Sequence, residues 1–322
     1  MLSNFNQATR FDEFMHFALY NPQYGYYSRG EGIFGGEGDF VTAPELSPLF
    51  GQTLGKAIRE VLPRCGGVVY EFGAGTGKLA CDVLATAGDL ITQYNIVDVS
   101  GGLKLVQLTN LMAQHGPEIE KKVRGLSTLP DKLDGVILGN EVLDATPVRR
   151  FKWSNTGPLE AWVQQVDGAL QLVWQAADPQ FATTVTQLQT QHGPWPEGYE
   201  SEVAEQSIAW VKTVTDRLNG IALMIDYGFR QQEYYHPQRN TGTLMAHFHH
   251  QALSNVLALP GISDITCHIN FSNLLHSIEN EENSQSFFSS QASYLLDAGI
   301  TDLVLQQSDP RDAQQMSADI TD

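Results

Sequence analysis

Three glycines at alternate positions, set between an apolar run and a helical repeat in VVYEFGAGTGKLACDVL (residues 68–84), restrict this chain more than any other feature. Val68, Val69, Tyr70 and Phe72 form a short β-prone run of the kind found in buried parallel strands. Leu79, Ala80, Val83 and Leu84 then recur at helical spacing. Between the two, Gly73, Gly75 and Gly77 permit a sharp turn and bring bare backbone up to a ligand, because no Cβ intrudes. A helix that begins inside such a turn aims its free amides at whatever the turn holds.

Spacing separates the glycine loops that resemble one another. A phosphate-binding loop of the form G-x-x-x-x-G-K-[ST], counted back from Gly77-Lys78, needs glycine where Phe72 stands and a hydroxyl where Leu79 stands. The dinucleotide fingerprint G-x-G-x-x-G needs glycine where Lys78 stands. Both fail, leaving E-x-G-x-G-x-G with Glu71 at the end of the strand and Ala74 inside the loop. Downstream, YNIVDVS (residues 94–100) reads as a second strand ending at Asp98. An acidic residue at the tip of the second strand of a βαβ unit accepts hydrogen bonds from a ribose diol. Together these fit an adenosine ligand without a pyrophosphate, such as S-adenosylmethionine; a plain structural turn is the competing reading of the loop alone.

The pattern alternates strand and helix from about residue 66 to 150, with strands at 68–72, 94–99 and 135–139 and helices at 77–87 and 102–114. The strand GVILG runs into Asn140-Glu141 and then Asp144. Ligands of open α/β sheets sit beyond the C-terminal strand ends, so these residues belong near the glycine loop. From 150 the period changes to two: VRRFKWS, LEAWVQQV and ALQLVWQ, separated by SNTG and DG, read as a β-meander. A helix is expected near 200–218, then the apolar strand IALMIDYG with Asp226, and last strands near 243–249 and 264–271, with a polar loop at 277–291. Before the core, residues 10–20 carry an amphipathic helix that ends at Asn21-Pro22. A glycine-rich stretch from Gly30 to Gly51 follows, expected as a lid. The expected organisation is therefore an N-terminal helix and lid segment over 1–60, an α/β core over 61–150, an insertion over 151–218 on the acceptor side, and a return to the core over 219–322.

With 322 residues, 42% hydrophobic and 17% charged, the chain can bury a large interior. A net charge of −18 excludes nucleic acid as the expected partner and favours a neutral or cationic one. Arg149-Arg150 is too small a cluster to reverse that. Cys65, Cys81 and Cys267 are odd in number and form no C-x-x-C pair, which suits free thiols in a reducing compartment. No basic region followed by an apolar core opens the sequence, and no run approaches ~18 apolar residues, so a cytoplasmic protein without a membrane span is expected. His247 and His249 share a strand face, yet no Cys or Asp completes a tight ligand set, so no metal is expected.

The segments GEGDFVTAPELSPLFG, YEFGAGTGKLACDVL, YNIVDVS, LGNEVLDATPVRRF, LMIDYG, GTLMAHFHH and PGISDITCHINF, in that order, resemble the MidA-like methyltransferases. That family includes the mitochondrial methyltransferase that assists assembly of respiratory complex I. The resemblance implies an α/β fold with the Rossmann-like, doubly wound sheet of class I methyltransferases, S-adenosylmethionine as methyl donor, and a protein arginine side chain as acceptor. Carried over by position, it implies a donor site of Glu71, Gly73, Ala74, Gly75, Gly77 and Asp98. Asn140 counts with that site while bordering the acceptor, beside Glu141 and Asp144.

Methyl transfer from a sulfonium is an in-line displacement, so the protein's task is to hold two reactants in line and dry. An arginine acceptor is protonated and lacks a free lone pair. Carboxylates placed against its fork bind it and draw charge away from the reacting nitrogen, a role open to Glu141 with Asp144 or Asp226. Glu141 read more plainly is a carboxylate at a helix N-terminus, and Asp144 a turn or cap. Two other functions fit the same residues: a methyltransferase acting on a small molecule, and an assembly protein that keeps the donor site without catalysis.

Overall fold

A computed structural model describes residues 2–29, 42–279 and 284–307. At its centre five strands run parallel: β1 (Val68–Phe72), β2 (Gln93–Val97), β3 (Val123–Leu126), β4 (Leu133–Asn140) and β5 (Leu218–Ile225). They lie in the order β5-β4-β1-β2-β3. The chain builds outward from β1 to β3, then crosses back to place β4 on the other side of β1. The crevice of such a sheet opens where the direction reverses, between the C-terminal ends of β1 and β4. Phe72 is level with Val97 on one side and Gly139 on the other, so the glycine loop, Asp98 and Asn140 emerge at one height.

Both faces of β1 are covered, which explains its uninterrupted apolar run. Val69 packs with Leu54, Leu79, Val83 and Val136, and Tyr70 and Phe72 pack with Leu133, Ile137 and Val214. The first layer comes from α2 (Pro48–Val61) and α3 (Lys78–Ala87). These helices approach closely because Gly51 and Gly55 of α2 face α3. A Cβ on Gly51 would stand 2.5 Å from Asp82 Cβ, and one on Gly55 would stand 2.8 Å from Thr86 Cβ. Of the expected lid, residues 43–46 and 48–51 are helical, in Ala43–Leu46 and the first turn of α2, with Phe50 buried. Residues 30–41 of that expected lid lie outside the described residues.

The three period-two segments form an antiparallel sheet of Arg149–Lys152, Leu159–Val166 and Ala169–Ala176. Glu200–Val203 pairs with the first of them, and Thr9–Arg10 with the second. The helix expected over 200–218 therefore begins later, at Glu205–Thr215, because the alternation before it serves a sheet edge. A helix at Pro179–His192, capped by Asp178 accepting from Gln180 and Phe181, adds Phe181, Val185 and Leu188 to a separate core around Phe151 and Trp195.

The expected last strands exist but do not join the parallel sheet. Met245–Phe248 pairs antiparallel with Gln251–Leu253 and Asp264–Thr266 in a sheet of their own. Their inner face, Ala246 and Ile265, meets Phe11, Phe14, Met15, Ala18 and Leu19 of α1 (Phe11–Tyr20), so the N-terminal helix is bound across this small sheet. The stretch expected as a polar loop over 277–291 starts inside the helix Phe271–Ile278, and its last residue begins the helix Gln291–Asp297. No helix among the described residues is long and apolar enough to cross a membrane.

Candidate active site

The crevice holds a cavity of about 690 Å³ lined by residues from the glycine loop, the tips of β2 and β4, α1 and the small antiparallel sheet. That volume suits a ligand the size of a nucleoside derivative with space left beside it.

On one side lies the glycine loop. Gly73 (φ 61°) and Gly75 (φ 52°) both stand in the left-handed region that glycine alone enters at no steric cost. Gly73 donates its N–H to the Val97 carbonyl at 3.1 Å, tying the loop to β2. Gly73, Ala74 and Gly75 line the cavity, whereas Gly77 does not. Gly77, at φ 83°, caps α3 instead, and a Cβ there would press on Gln107 Cα at 3.2 Å. Its role is helix entry and packing rather than ligand contact.

Glu71 is 2% exposed and lines the cavity from β1; its Oε2 accepts from the Tyr94 hydroxyl at 2.6 Å. Burial raises its pKa to about 7, against the Tyr94 hydrogen bond, which lowers it. Asp98 is also buried, and its pKa rises by desolvation, opposed by the Ser100 and Gln107 hydrogen bonds. Its Oδ1 accepts from Ser100 N at 2.8 Å and its Oδ2 from Gln107 Nε2 at 3.0 Å. A carboxylate offers roughly four acceptor positions, so two remain for a diol. Gln107 also donates to the Gly75 carbonyl at 3.1 Å, coupling the acidic tip to the glycine loop through one side chain of α4 (Gly101–His115). Bare left-handed backbone, an acidic tip with spare lone pairs and a cavity of this size fit S-adenosylmethionine. Asp98→Ala is expected to weaken donor binding by about 1.5–3 kcal/mol, the scale of hydrogen bonds to a charged group. Calorimetric titration checks this, and an unaltered affinity would refute the assignment.

β4 ends at Asn140 and is followed by Glu141 and Asp144, all three in the wall. Glu141 holds φ 52°, a conformation a non-glycine residue keeps only where surroundings enforce it. Its N–H donates to the Ile225 carbonyl at 2.8 Å, and Asn140 Nδ2 donates to its Oε1 at 3.3 Å. Burial and the neighbouring Asp144 charge raise the Glu141 pKa to about 7. Asp144 is 4% exposed, and burial raises its pKa to about 6. Its Oδ2 accepts from the Tyr227 hydroxyl; its Oδ1, like Asn140 Oδ1, is buried with no hydrogen-bond partner.

Asp226 is not brought into the cavity wall. Its Oδ2 accepts the N–H groups of Leu143 (2.9 Å) and Asp144 (3.3 Å), and its Oδ1 that of Tyr227 (2.9 Å). Burial first, then the Asp144 charge, push its pKa up. It stands behind the loop after β4 and fixes its backbone, because a strand-end carboxylate beside a neighbouring turn finds unsatisfied amides closer than the crevice.

The remaining wall was not legible residue by residue. Tyr20 and Tyr27 stack with centroids 5.5 Å apart and planes at 23°. Tyr20 donates to the Ala145 carbonyl at 2.9 Å, and Tyr27 to both oxygens of Asp264 at 2.9 and 3.0 Å. All three line the cavity. In the sequence the tyrosines read as part of an apolar helix and its exit, and Asp264 as part of a strand. Tyr227, directly after Asp226, carried a signal in its position, whereas Gln107 carried none.

A family model described as "Putative S-adenosyl-L-methionine-dependent methyltransferase" matches residues 52–289. A crystal structure from Burkholderia thailandensis bound to S-adenosyl-homocysteine is 42% identical, with a TM-score of 0.88 over 95% of this chain and 80% of that one. The protein arginine methyltransferase NDUFAF7 homolog, mitochondrial, of Drosophila melanogaster is 29% identical over 84% of this chain and 67% of its own length. The Homo sapiens counterpart is 28% identical over 81% and 64%. The chain spans about two thirds of the length of these curated relatives.

Proposed function

The chain belongs to the S-adenosyl-L-methionine-dependent methyltransferase family, and on that premise we propose that it methylates the guanidinium of a protein arginine. Bound S-adenosylmethionine supplies an electrophilic methyl group on a sulfonium. The chain's own residues supply the rest. Gly73, Ala74, Gly75 and Asp98, with Glu71 behind them, hold the donor. Glu141 anchors the acceptor cation, with Asn140 and Asp144 beside it.

One observation carries the reading. Glu141 and Asp144 both line the cavity beside Asn140, and among the described residues no Lys or Arg but Lys78 stands in its wall. A wall carrying paired carboxyl groups calls for a cationic ligand rich in N–H groups. A guanidinium presents five in a planar fork, and the stacked faces of Tyr20 and Tyr27 offer a surface on which such a plane rests. Relatives named as protein arginine methyltransferases support the same acceptor, and a net charge of −18 suits a basic partner.

The test is direct. With isotopically labelled donor, a glycine-arginine peptide is expected to take up label that fragmentation mass spectrometry locates on the guanidinium. The same peptide with lysine in place of arginine is expected to stay unlabelled. Equal labelling of the lysine peptide would refute the arginine reading.

A further inference from the structure

In a strand, neighbouring side chains point to opposite faces, yet Asn140 and Glu141, consecutive across the end of β4, stand in one cavity wall. What breaks the alternation is the left-handed backbone of Glu141 (φ 52°), a conformation that strains a residue with a Cβ. Glu141 is half-buried and so stays open to a ligand. We propose that Asp226 is a positioning residue for methyl transfer: by binding the amides of the loop after β4, it holds Glu141 in that conformation with its carboxyl at the acceptor. The inference rests on the reading of Glu141 as the anchor of the acceptor cation.

β4 and β5 pair in register up to Asn140 and Ile225. One bond more, from Glu141 N–H to the Ile225 carbonyl at 2.8 Å, carries the ladder to the strained residue. Past that point the next residue of the β5 chain offers its side chain. Asp226 Oδ2 accepts from Leu143 N at 2.9 Å and from Asp144 N at 3.3 Å. Its Oδ1 accepts from Tyr227 N at 2.9 Å, which fixes the direction of the carboxylate. Glu141 is therefore held at its own N–H and again two and three residues on. A return to a right-handed or extended backbone would break these bonds. The Leu143 side chain is 2% exposed and packs with Val211, Ile269 and Leu274, which ties the loop to the core as well. Asp226 lies outside the cavity wall, so its effect on transfer passes through Glu141 and not through contact with either reactant. Three amides at one place explain the choice of a carboxylate, which has roughly four acceptor positions where a hydroxyl or carboxamide oxygen has two.

A double-mutant cycle on the single-turnover rate, with labelled donor and the glycine-arginine peptide, tests this. Asp226→Ala removes the acceptor of the loop amides and is expected to slow transfer by ~10- to ~100-fold, the scale of a misplaced reacting group. Because Asp226 acts through Glu141, the double variant Asp226→Ala/Glu141→Gln is expected within ~3-fold of Glu141→Gln alone, whereas independent effects would multiply. Affinity for S-adenosylhomocysteine, read by calorimetric titration, is expected to stay within ~3-fold of parental in Asp226→Ala, since Asp98 and Gln107 keep their hydrogen bonds. Should Asp226→Ala not fold, Asp226→Asn, which takes the charge from the same bonds, enters the cycle in its place. It is expected to slow transfer by at least ~5-fold, with the double variant again level with Glu141→Gln. A parental rate in the Asp226 variant, a double variant slower than Glu141→Gln by the full Asp226 factor, or loss of donor binding would overturn the proposal. A parental protein that labels no arginine peptide, or Glu141→Gln at the parental rate, would instead overturn the reading on which the proposal stands, and the proposal with it.

Discussion

Glu141→Gln will bind the donor almost as the parental protein does and transfer methyl groups ~100-fold more slowly or worse, a loss of about 2.7 kcal/mol in transition-state stabilisation. The substitution keeps the side chain's size and its acceptance from Asn140 Nδ2, and glutamine suffers the φ of 52° no more than glutamate does. What disappears is the charge against the fork of the acceptor, a charge-assisted hydrogen bond about twice as strong as a neutral one. The effect has a pH signature. The Glu141 pKa is raised to about 7, so the anchor is present above that pH and is lost as pH falls through it. Parental kcat/KM is therefore expected to fall below about pH 7, and in Glu141→Gln that fall is expected to be shallower, since Glu71 and Asp144 still titrate in the same cavity. Donor titration and labelled-methyl assays on the same preparation decide the matter. A parental transfer rate would remove Glu141 from the acceptor site, and a collapse of donor binding would move it to the donor site.

Gly75→Val is expected to abolish measurable donor binding, a loss of ~100-fold or more in affinity. Two effects act together. Gly75 holds φ 52° in the cavity wall, a region where a β-branched residue is strained by about 1–3 kcal/mol. Any relaxation of that strain also shifts the carbonyl that accepts from Gln107, and Gln107 in turn holds Asp98. The side chain itself would then occupy space reserved for the ligand. Because the loop lies at the end of the sheet rather than in its core, the variant is expected to fold, with a circular dichroism spectrum like the parent's and a lowered Tm. Donor binding at parental affinity in the folded variant would show that the loop does not touch the ligand.

The half of the candidate site proposed to hold the donor could be drawn from the sequence because its parts are local. The strand, the glycine turn, the helix and Asp98 fall within about thirty residues, and each announces itself by spacing or by a conformation that only glycine adopts. β3 escaped because VRGL is short, carries Arg124 and Gly125, and is exposed at its two middle positions, leaving no alternation to read. The acceptor half is made of long-range partners. Tyr27 and Asp264 are 237 positions apart, and Tyr227 and Asp144 are 83 apart. Nothing in the neighbourhood of Tyr27 distinguishes it from any other aromatic at a helix exit. Asp226 shows the opposite error: a carboxylate at a strand end reads as a crevice residue, yet here the amides of Leu143 and Asp144 are its partners.

The order of the strands also sets a timetable. A ribosome delivers β1 to β4 in sequence, so the glycine loop, Asp98 and Asn140 can meet once residue 140 has emerged. Asp226 and Tyr227, which fix the loop after β4, and Asp264, which completes the tyrosine wall, emerge later, the last about 120 residues on. At ~5–20 residues per second that interval is on the order of ten seconds. The nascent chain thus acquires a place for its donor well before it acquires the wall that presents an acceptor, and early donor binding would steady the half-built sheet while the C-terminal third is still being made.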